Sequence, residues 1–374
     1  MDEITIRIVL NSLSGIPLIQ QLKNQFTWLI VTGKILPGDR LPSVRKLSEH
    51  LSININTVRS AYQLLERDNL VDTRQGTGTV VLPLDISSIA RNAIKLRSNT
   101  IGVIIPAITN PFYHSFLQGI EEANAQNQTM MVVCDAHEDP FEAYRFYSKL
   151  VAKGVDGIIC ASLPLAKFIT ENGQSLNSFP LITVDWPDDQ KNTAQVDLES
   201  AAYQAVNHLV DHGYLRIALI TLEVDIPNTL PLLQGYQRAL KGAGRPESAE
   251  MITRVPGFSL EDGEIVARRI LSRSSRPDAI LAISDMLALG AIKEFKRKGY
   301  GIPEDFAIIG VGDIYLADMV EPRLTTVSLP SRQLGIEAMK MLQDLIDGKK
   351  PENDKVVLQT RLVIRESCGC QAAI

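Results

Sequence analysis

Residues 38–79, GDRLPSVRKLSEHLSININTVRSAYQLLERDNLVDTRQGTGT, read as two short helices, a tight turn and a glycine-rich β-hairpin. Pro42 and Ser43 stand where a helix begins, and Leu47 and Leu51 follow four residues apart, so one face of that helix is apolar. Asn54 is placed to cap a second helix, along which Val58, Ala61 and Leu65 fall at i, i+3 and i+7 and face a core. Asn56, Thr57, Arg59, Ser60 and Gln63 are left outside. A helix that shows amides, hydroxyls and a guanidinium on one side suits the major groove, where Asn reads adenine and Arg reads guanine through paired hydrogen bonds. Arg45 and Arg59 are the main candidates for such contacts. Downstream, strand-forming residues flank Gln75-Gly76-Thr77-Gly78, the pattern of a hairpin whose tip would reach the minor groove or a phosphate.

From Pro17-Leu-Ile-Gln-Gln through Gly33–Arg45 to Gly76-Thr-Gly-Thr-Val80, the chain resembles the winged helix-turn-helix of the GntR regulator family. The resemblance implies a DNA-binding head over residues 1–82, with contacts at Arg45, Asn54, Asn56, Thr57, Arg59, Gln75 and Gly76. It departs from the family at Ile55, where Arg is frequent; an apolar side chain there prefers a thymine methyl or no base contact, so the operator sequence does not carry over.

Charge agrees in sign. Residues 1–97 hold twelve Lys/Arg against eight Asp/Glu, a net of +4, which leaves −9 for the remainder of a chain whose total is −5. An excess this small implies a few placed phosphate contacts and salt-dependent binding rather than general stickiness.

The 374 residues leave room for a second, larger module that buries its own core. The start of the chain lacks a basic flank followed by an apolar run, and no uncharged apolar stretch is long enough to span a bilayer, so neither a secretory signal nor a membrane is expected. Cys134, Cys160, Cys368 and Cys370 are too few and too scattered for a disulfide framework, which fits a reduced, cytoplasmic setting. Residues 83–99 turn polar and read as a linker, with a helical stripe of Ile86, Ile89, Ala90, Ala93 and Ile94.

Beyond it, short β-branched runs alternate with amphipathic ones: 101–105, 130–134, 155–160, 181–184, 217–220, 279–283 and 307–311, with helices at 111–126 and 140–153 among them. That alternation means parallel sheets in βαβ units, a multidomain α/β protein. Ligands of such sheets bind beyond the carboxyl ends of the strands. Those ends carry Asn110-Pro-Phe112-Tyr113, Asp135, Asp185-Trp186, Ser284-Asp285 and Gly312-Asp313, aromatic faces and hydrogen-bonding groups suited to a small polar ligand.

With Leu324–Pro330, Leu334-Gly335 and Val363–Gly369, residues 100–374 resemble the sensor of the LacI/GalR regulators, a periplasmic-binding-protein-like fold. The resemblance implies two lobes joined by three crossovers, an effector clamped between them, and a homodimer. It nominates Phe112, Tyr113, Asp185, Phe258 and Ser284 as effector contacts, beside Asn110, Asp135, Trp186 and Asp313 from the strand ends. Two positions break the sugar-gripping pattern: Leu232 stands where an Arg is common, and Gly312 replaces the first Asp of an IGxDD run. Such losses remove charge-assisted hydrogen bonds worth roughly 1.5–3 kcal/mol each.

His208 and His212 are spaced to share a helix face, but no HExxH glutamate accompanies them, and they read as surface or packing residues. Cys368-Gly-Cys370 could chelate or sense redox state, yet Ser-Cys-Gly also ends sensors of this type. Gly310-Val-Gly312 is too little for a dinucleotide fingerprint, and neither a P-loop nor a GxSxG elbow occurs. The expectation is therefore a ligand-responsive regulator, most simply a repressor, with no catalytic residue, metal or cofactor, on a two-fold symmetric operator. A body that only dimerises or answers to a protein partner stays open. A pyridoxal-phosphate aminotransferase body, the enzyme alternative, lacks a convincing lysine context.

Overall fold

The computed structural model describes residues 8, 10, 17–31, 35–74, 78–83, 98–125, 127, 129–171, 179–185, 192–223, 229–245 and 248–370. The expected linker stripe lies outside them. Two compact units divide the chain: 1–107, 124–183 and 340–352 in one, 108–123, 184–339 and 353–374 in the other.

The first unit opens with α1 (Leu18–Val31), α2 (Val44–Leu51) and α3 (Ile55–Arg67), followed by β1 (Val71–Arg74) and β2 (Gly78–Val81). Helix α1 is the element the sequence reading left unnamed, although Leu22, Phe26 and Ile30 recur every four residues and all are fully buried. Phe26 meets Tyr62 of α3 edge to face at 5.5 Å, and the Tyr62 hydroxyl donates to the Pro42 carbonyl at 2.9 Å, fixing the entry to α2. A buried phenol needs such a partner, since burying it unbonded costs on the order of 1–3 kcal/mol. Lys23 reaches Asp68 at 2.6 Å and ties α1 to the end of α3. The tight turn between α2 and α3 puts Ser52 in the left-handed region, φ 53°. Strands β1 and β2 pair antiparallel with Val71 opposite Val81, and the expected hairpin tip, 75–77, lies outside the described residues.

The same unit continues with β3 (Thr100–Ile105), β4 (Met130–Asp135), α5 (Pro140–Lys153), β5 (Gly157–Ala161), α6 (Leu165–Glu171) and most of β6 (Leu181–Val184). Strand β3 lies parallel between β4 and β5 and is buried from Ile101 to Ile105, as a Val/Ile run without alternation requires. Its neighbour β4 is exposed at Met130 because it forms the sheet edge.

The second unit contains most of α4 (Phe112–Asn124), β7 (Thr193–Val196), α7 (Leu198–Asp211), β8 (Ile217–Leu222), α8 (Leu230–Gly242), β9 (Ile252–Val255) and α9 (Leu260–Leu271). After these come β10 (Ala279–Ala282), α10 (Asp285–Arg297), β11 (Ala307–Gly312), β12 (Thr325–Ser328), most of α11 (Ser331–Ile346), β13 (Lys355–Leu358) and β14 (Arg361–Val363). Strand order is β13-β7-β6-β5-β3-β4 in one six-stranded sheet and β14-β12-β11-β10-β8-β9 in the other. The chain thus passes between sheets after β7, after β12 and after β13. Strand β14 runs antiparallel to β12, an exception to the parallel rule. Glycine permits the closest helix pairs. A Cβ on Gly235 of α8 would lie 2.1 Å from the Glu199 carbonyl oxygen of α7, and one on Gly290 of α10 would lie 2.0 Å from that of Leu260 of α9.

Candidate functional site

Helix α3 is built to present its outer face. Val58, Ala61, Tyr62 and Leu65 are buried, while Asn56, Arg59 and Gln63 are exposed, and Thr57 and Ser60 are half-buried. Asn54 caps the helix through its side-chain oxygen, which accepts the Asn56 N–H at 2.8 Å; a residue expected to touch DNA therefore has a local task as well. Ser43 caps α2 in the same manner, accepting from the Lys46 N–H at 3.2 Å, and Arg45 projects exposed from the first turn. Arg59 donates to the Asn56 side-chain oxygen at 3.0 Å, so an amide and a guanidinium stand side by side on the exposed face. Ile55, the departure from the family pattern, is exposed at the first helical position. Gln75 and Gly76 lie outside the described residues.

The strand-end residues of the body have diverse fates. Asn110 accepts the Phe112 N–H through its side chain at 3.1 Å, and Phe112, half-buried, meets Tyr113 edge to face at 5.2 Å. Tyr113 itself is buried and packs on Phe116. Asp135 accepts the His137 N–H at 2.9 Å, holding the tight turn at the end of β4. Phe258 is half-buried against the core, beside the Ser259 and Asp262 capping box of α9. Trp186 lies outside the described residues.

Asp185 differs from these. It closes β6 in the left-handed region, φ 49°, and one carboxylate oxygen accepts the Val196 N–H at 3.0 Å. Burial pushes its carboxyl up to about 7, against that hydrogen bond, which lowers it. Among the described residues its other oxygen has no hydrogen-bond partner.

Ser284 and Asp313 flank a network that sequence reading did not find. Ser284 accepts the Leu287 N–H at 3.3 Å as the cap of α10, and the next residue, Asp285, is buried. Asp285 accepts from the Thr326 hydroxyl at 2.5 Å and the Ile314 N–H at 2.9 Å, and burial pushes its carboxyl up to about 6 in spite of both. Asp313 is paired with Arg365 at 2.7 Å, and Arg365 also donates to the Leu324 carbonyl at 2.9 Å. The network explains Gly312. Its φ is +144°, and a Cβ there would meet the Asp285 carboxylate at 3.1 Å, so an Asp at 312 would bring a second carboxylate against a buried one. The only sequence signal was Asp285 following a buried strand. Leu232 is likewise a core residue, 3% exposed, so the position that grips sugars elsewhere holds no polar group here.

The sequence model of the "Bacterial regulatory proteins, gntR family" matches residues 18–81, and that of the "Periplasmic binding protein-like domain" matches 206–368. The HTH-type transcriptional repressor CytR of Escherichia coli (strain K12) is 31% identical over 279 residues, which make up 74% of this chain and 81% of that protein. Among solved structures, transcription regulator CcpA of Lactococcus lactis has a TM-score of 0.66 at 26% identity, covering 72% of this chain and 99% of that one. A LacI family transcriptional regulator from Enterococcus faecium, with bound ribose, has a TM-score of 0.60 at 29% identity, covering 72% of this chain and 98% of that one. These relatives are named as transcriptional regulators rather than enzymes. Among the described residues no helix is long and apolar enough to cross a membrane.

Proposed function

The chain belongs to the LacI-type family of transcriptional regulators and carries a GntR-type head, and from that premise we propose that it is a cytoplasmic, homodimeric, DNA-binding repressor whose body answers to a small sugar-like effector. The division is a head over 1–82, a linker over 83–99, and an effector-binding and dimerisation module over 100–374. The observation that carries the reading is the exposed Asn56 and Arg59 pair on a helix whose opposite face is buried. Arg45, Asn54, Thr57, Gln75 and Gly76 complete the proposed contacts. A dimer places two such helices about one duplex turn apart, ~34 Å or a multiple, on a two-fold symmetric operator. An effector that binds one state of the body better than another shifts that spacing by linkage.

Asp185 is the favoured effector acceptor, because its second oxygen is uncommitted among the described residues, and Asn110, Phe112, Trp186 and Phe258 are the other proposed contacts. Asp135, Ser284, Asp313 and the buried Tyr113 are weaker members of the set, being occupied by the turn, the cap, the ion pair and the core. The ribose-bound relative supports a sugar-like ligand. Leu232 and Gly312 argue that this chain holds it with fewer charges than sugar-gripping relatives do. The same two positions favour a second reading, in which the body dimerises or answers to a protein without a small ligand.

Selection of binding sites from a random duplex pool, followed by anisotropy titration, tests the head; failure to enrich any site would overturn DNA reading. A thermal-shift screen of pentoses, hexoses and nucleosides tests the body, where a ligand at 100 times its dissociation constant adds about 2.7 kcal/mol. A flat screen together with tight operator binding favours the second reading.

A further inference from the structure

Two motifs that looked idle in the sequence meet in the fold. His208, on the last turn of α7, places Nε2 3.1 Å from the Cys370 sulfur and 3.5 Å from the Cys368 sulfur, about 160 residues further on. His212, one turn beyond, sets its ring 4.3 Å from that of His208, and one ligand atom each from His208, His212 and Cys370 lie within 4.8 Å of one another. Each sulfur has a further partner, the Thr325 hydroxyl for Cys368 and the Cys368 carbonyl for Cys370, yet both also stand against one imidazole nitrogen. A single Nε2 carries one proton or one lone pair and serves one sulfur at a time, whereas two sulfurs converge on it.

A metal ion accounts for the convergence of His208, His212 and Cys370, and the Cys368 sulfur, which stands outside that trio but 3.5 Å from the same Nε2, supplies the fourth donor. Tetrahedral bonds of about 2.3 Å to sulfur and about 2.0 Å to nitrogen place neighbouring nitrogen and sulfur atoms about 3.5 Å apart. The His212 Nδ1 lies 2.7 Å from the His208 carbonyl oxygen, which only a protonated Nδ1 can satisfy, so Nε2 keeps the lone pair a metal needs. The cysteine turn is held in place beforehand. Gly369 adopts φ +78°, the Tyr214 hydroxyl donates to the Cys368 carbonyl at 3.0 Å, and the Ser367 hydroxyl donates to the Ile308 carbonyl at 2.6 Å. The Thr325 hydroxyl donates to the Cys368 sulfur at 3.2 Å, the outer-shell contact that suits a coordinated thiolate. Cys368 is buried while His212 is exposed and Cys370 half-buried, so the site has an inner wall and an entrance.

We propose that His208, His212, Cys368 and Cys370 form a tetrahedral site for one thiophilic metal ion, Zn2+, which clips the C-terminal turn to the end of α7. Imidazole and thiolate donors exclude the hard ions Mg2+ and Ca2+. Each thiol gives up its proton to solvent as its sulfur bonds the metal, so binding strengthens as pH rises.

The test uses the full chain, reduced and stripped of metal under anaerobic conditions. Titrated Co2+ should bind once per chain, with the visible absorption of a tetrahedral ion and the near-ultraviolet charge-transfer intensity of two thiolates, and Zn2+ should displace it. His212→Asn and Cys370→Ser, neither at a fully buried position, should each weaken Zn2+ by at least about 100-fold, beyond the usual loss of an outer-shell partner. Zn2+ should raise the melting temperature of the parent chain and leave that of Cys370→Ser unmoved. Absence of stoichiometric binding, a spectrum with fewer than two thiolates, or Zn2+ affinity unchanged in both variants would overturn the site.

Discussion

The head and the body use polar side chains in opposite ways. In the head, Asn56, Arg59 and Gln63 face outward from a helix whose other side is buried, and a short stretch of chain settles which side is which. In the body, several of the polar residues at the strand ends serve the fold itself: Ser284 caps a helix, Asp135 closes a turn, and Asp313 is neutralised by Arg365. The difference teaches that a recognition surface on one helix is legible from periodicity, whereas a sensor assembled from many strand ends is not. Its residues are also the ones that satisfy buried backbone and charge.

The strongest challenge to this contrast is Gly235→Ala. With the new Cβ about to meet the Glu199 carbonyl oxygen at 2.1 Å, α8 must move off α7, at a cost of roughly 3 kcal/mol, the upper end of what overpacking exacts. Calorimetry should show the body melting earlier. A melt unchanged from the parent would mean that the helix pair is less tight than the geometry states.

Arg59→Ala comes next, and should cost about 1–3 kcal/mol in operator binding and relax base preference while leaving the melt alone. Unchanged affinity in anisotropy titration would remove α3 from the interface. Asn54→Ala separates two roles at one position: loss of the cap should destabilise the head by about 1 kcal/mol. If operator affinity falls by much more than the stability loss explains, Asn54 touches DNA as well as capping.

The pH effect of Asp185 tests the body by titration. Its folded value near 7 lies above the ordinary 3.8, so the folded state holds the proton more tightly than the unfolded one. The resulting stability is fully present below about 4 and is lost as pH rises through about 7. Asp185→Asn should flatten that part of the profile, read as denaturation midpoints at about pH 5 and about pH 8. A parallel profile for parent and variant would show that the carboxyl titrates normally.

The α/β body and the head helices α2 and α3 were legible because their signals are short-range: caps at Ser43 and Asn54, a four-residue leucine spacing, and runs of Ile and Val long enough for a buried strand. Strand β6 and helix α5 were readable to the residue, since proline, glycine and polar flanks bound them. Helix α1 carries the same kind of signal in Leu22, Phe26 and Ile30, but without a capping residue to mark its start. Strands β7, β9 and β13 are short, and β13 alternates exposed and half-buried residues as an edge does, so their runs are weak.

Sequence by itself determined a winged helix-turn-helix head followed by a large parallel α/β module, because helical and strand periodicity and capping act within a few residues. Only the tertiary structure decided that Leu232 is core, that Gly312 makes room for the buried Asp285 carboxylate, and that Cys368 and Cys370 close on His208. Those outcomes depend on groups tens to hundreds of residues apart meeting in a space from which water is excluded. No local pattern encodes which distant partner will be there.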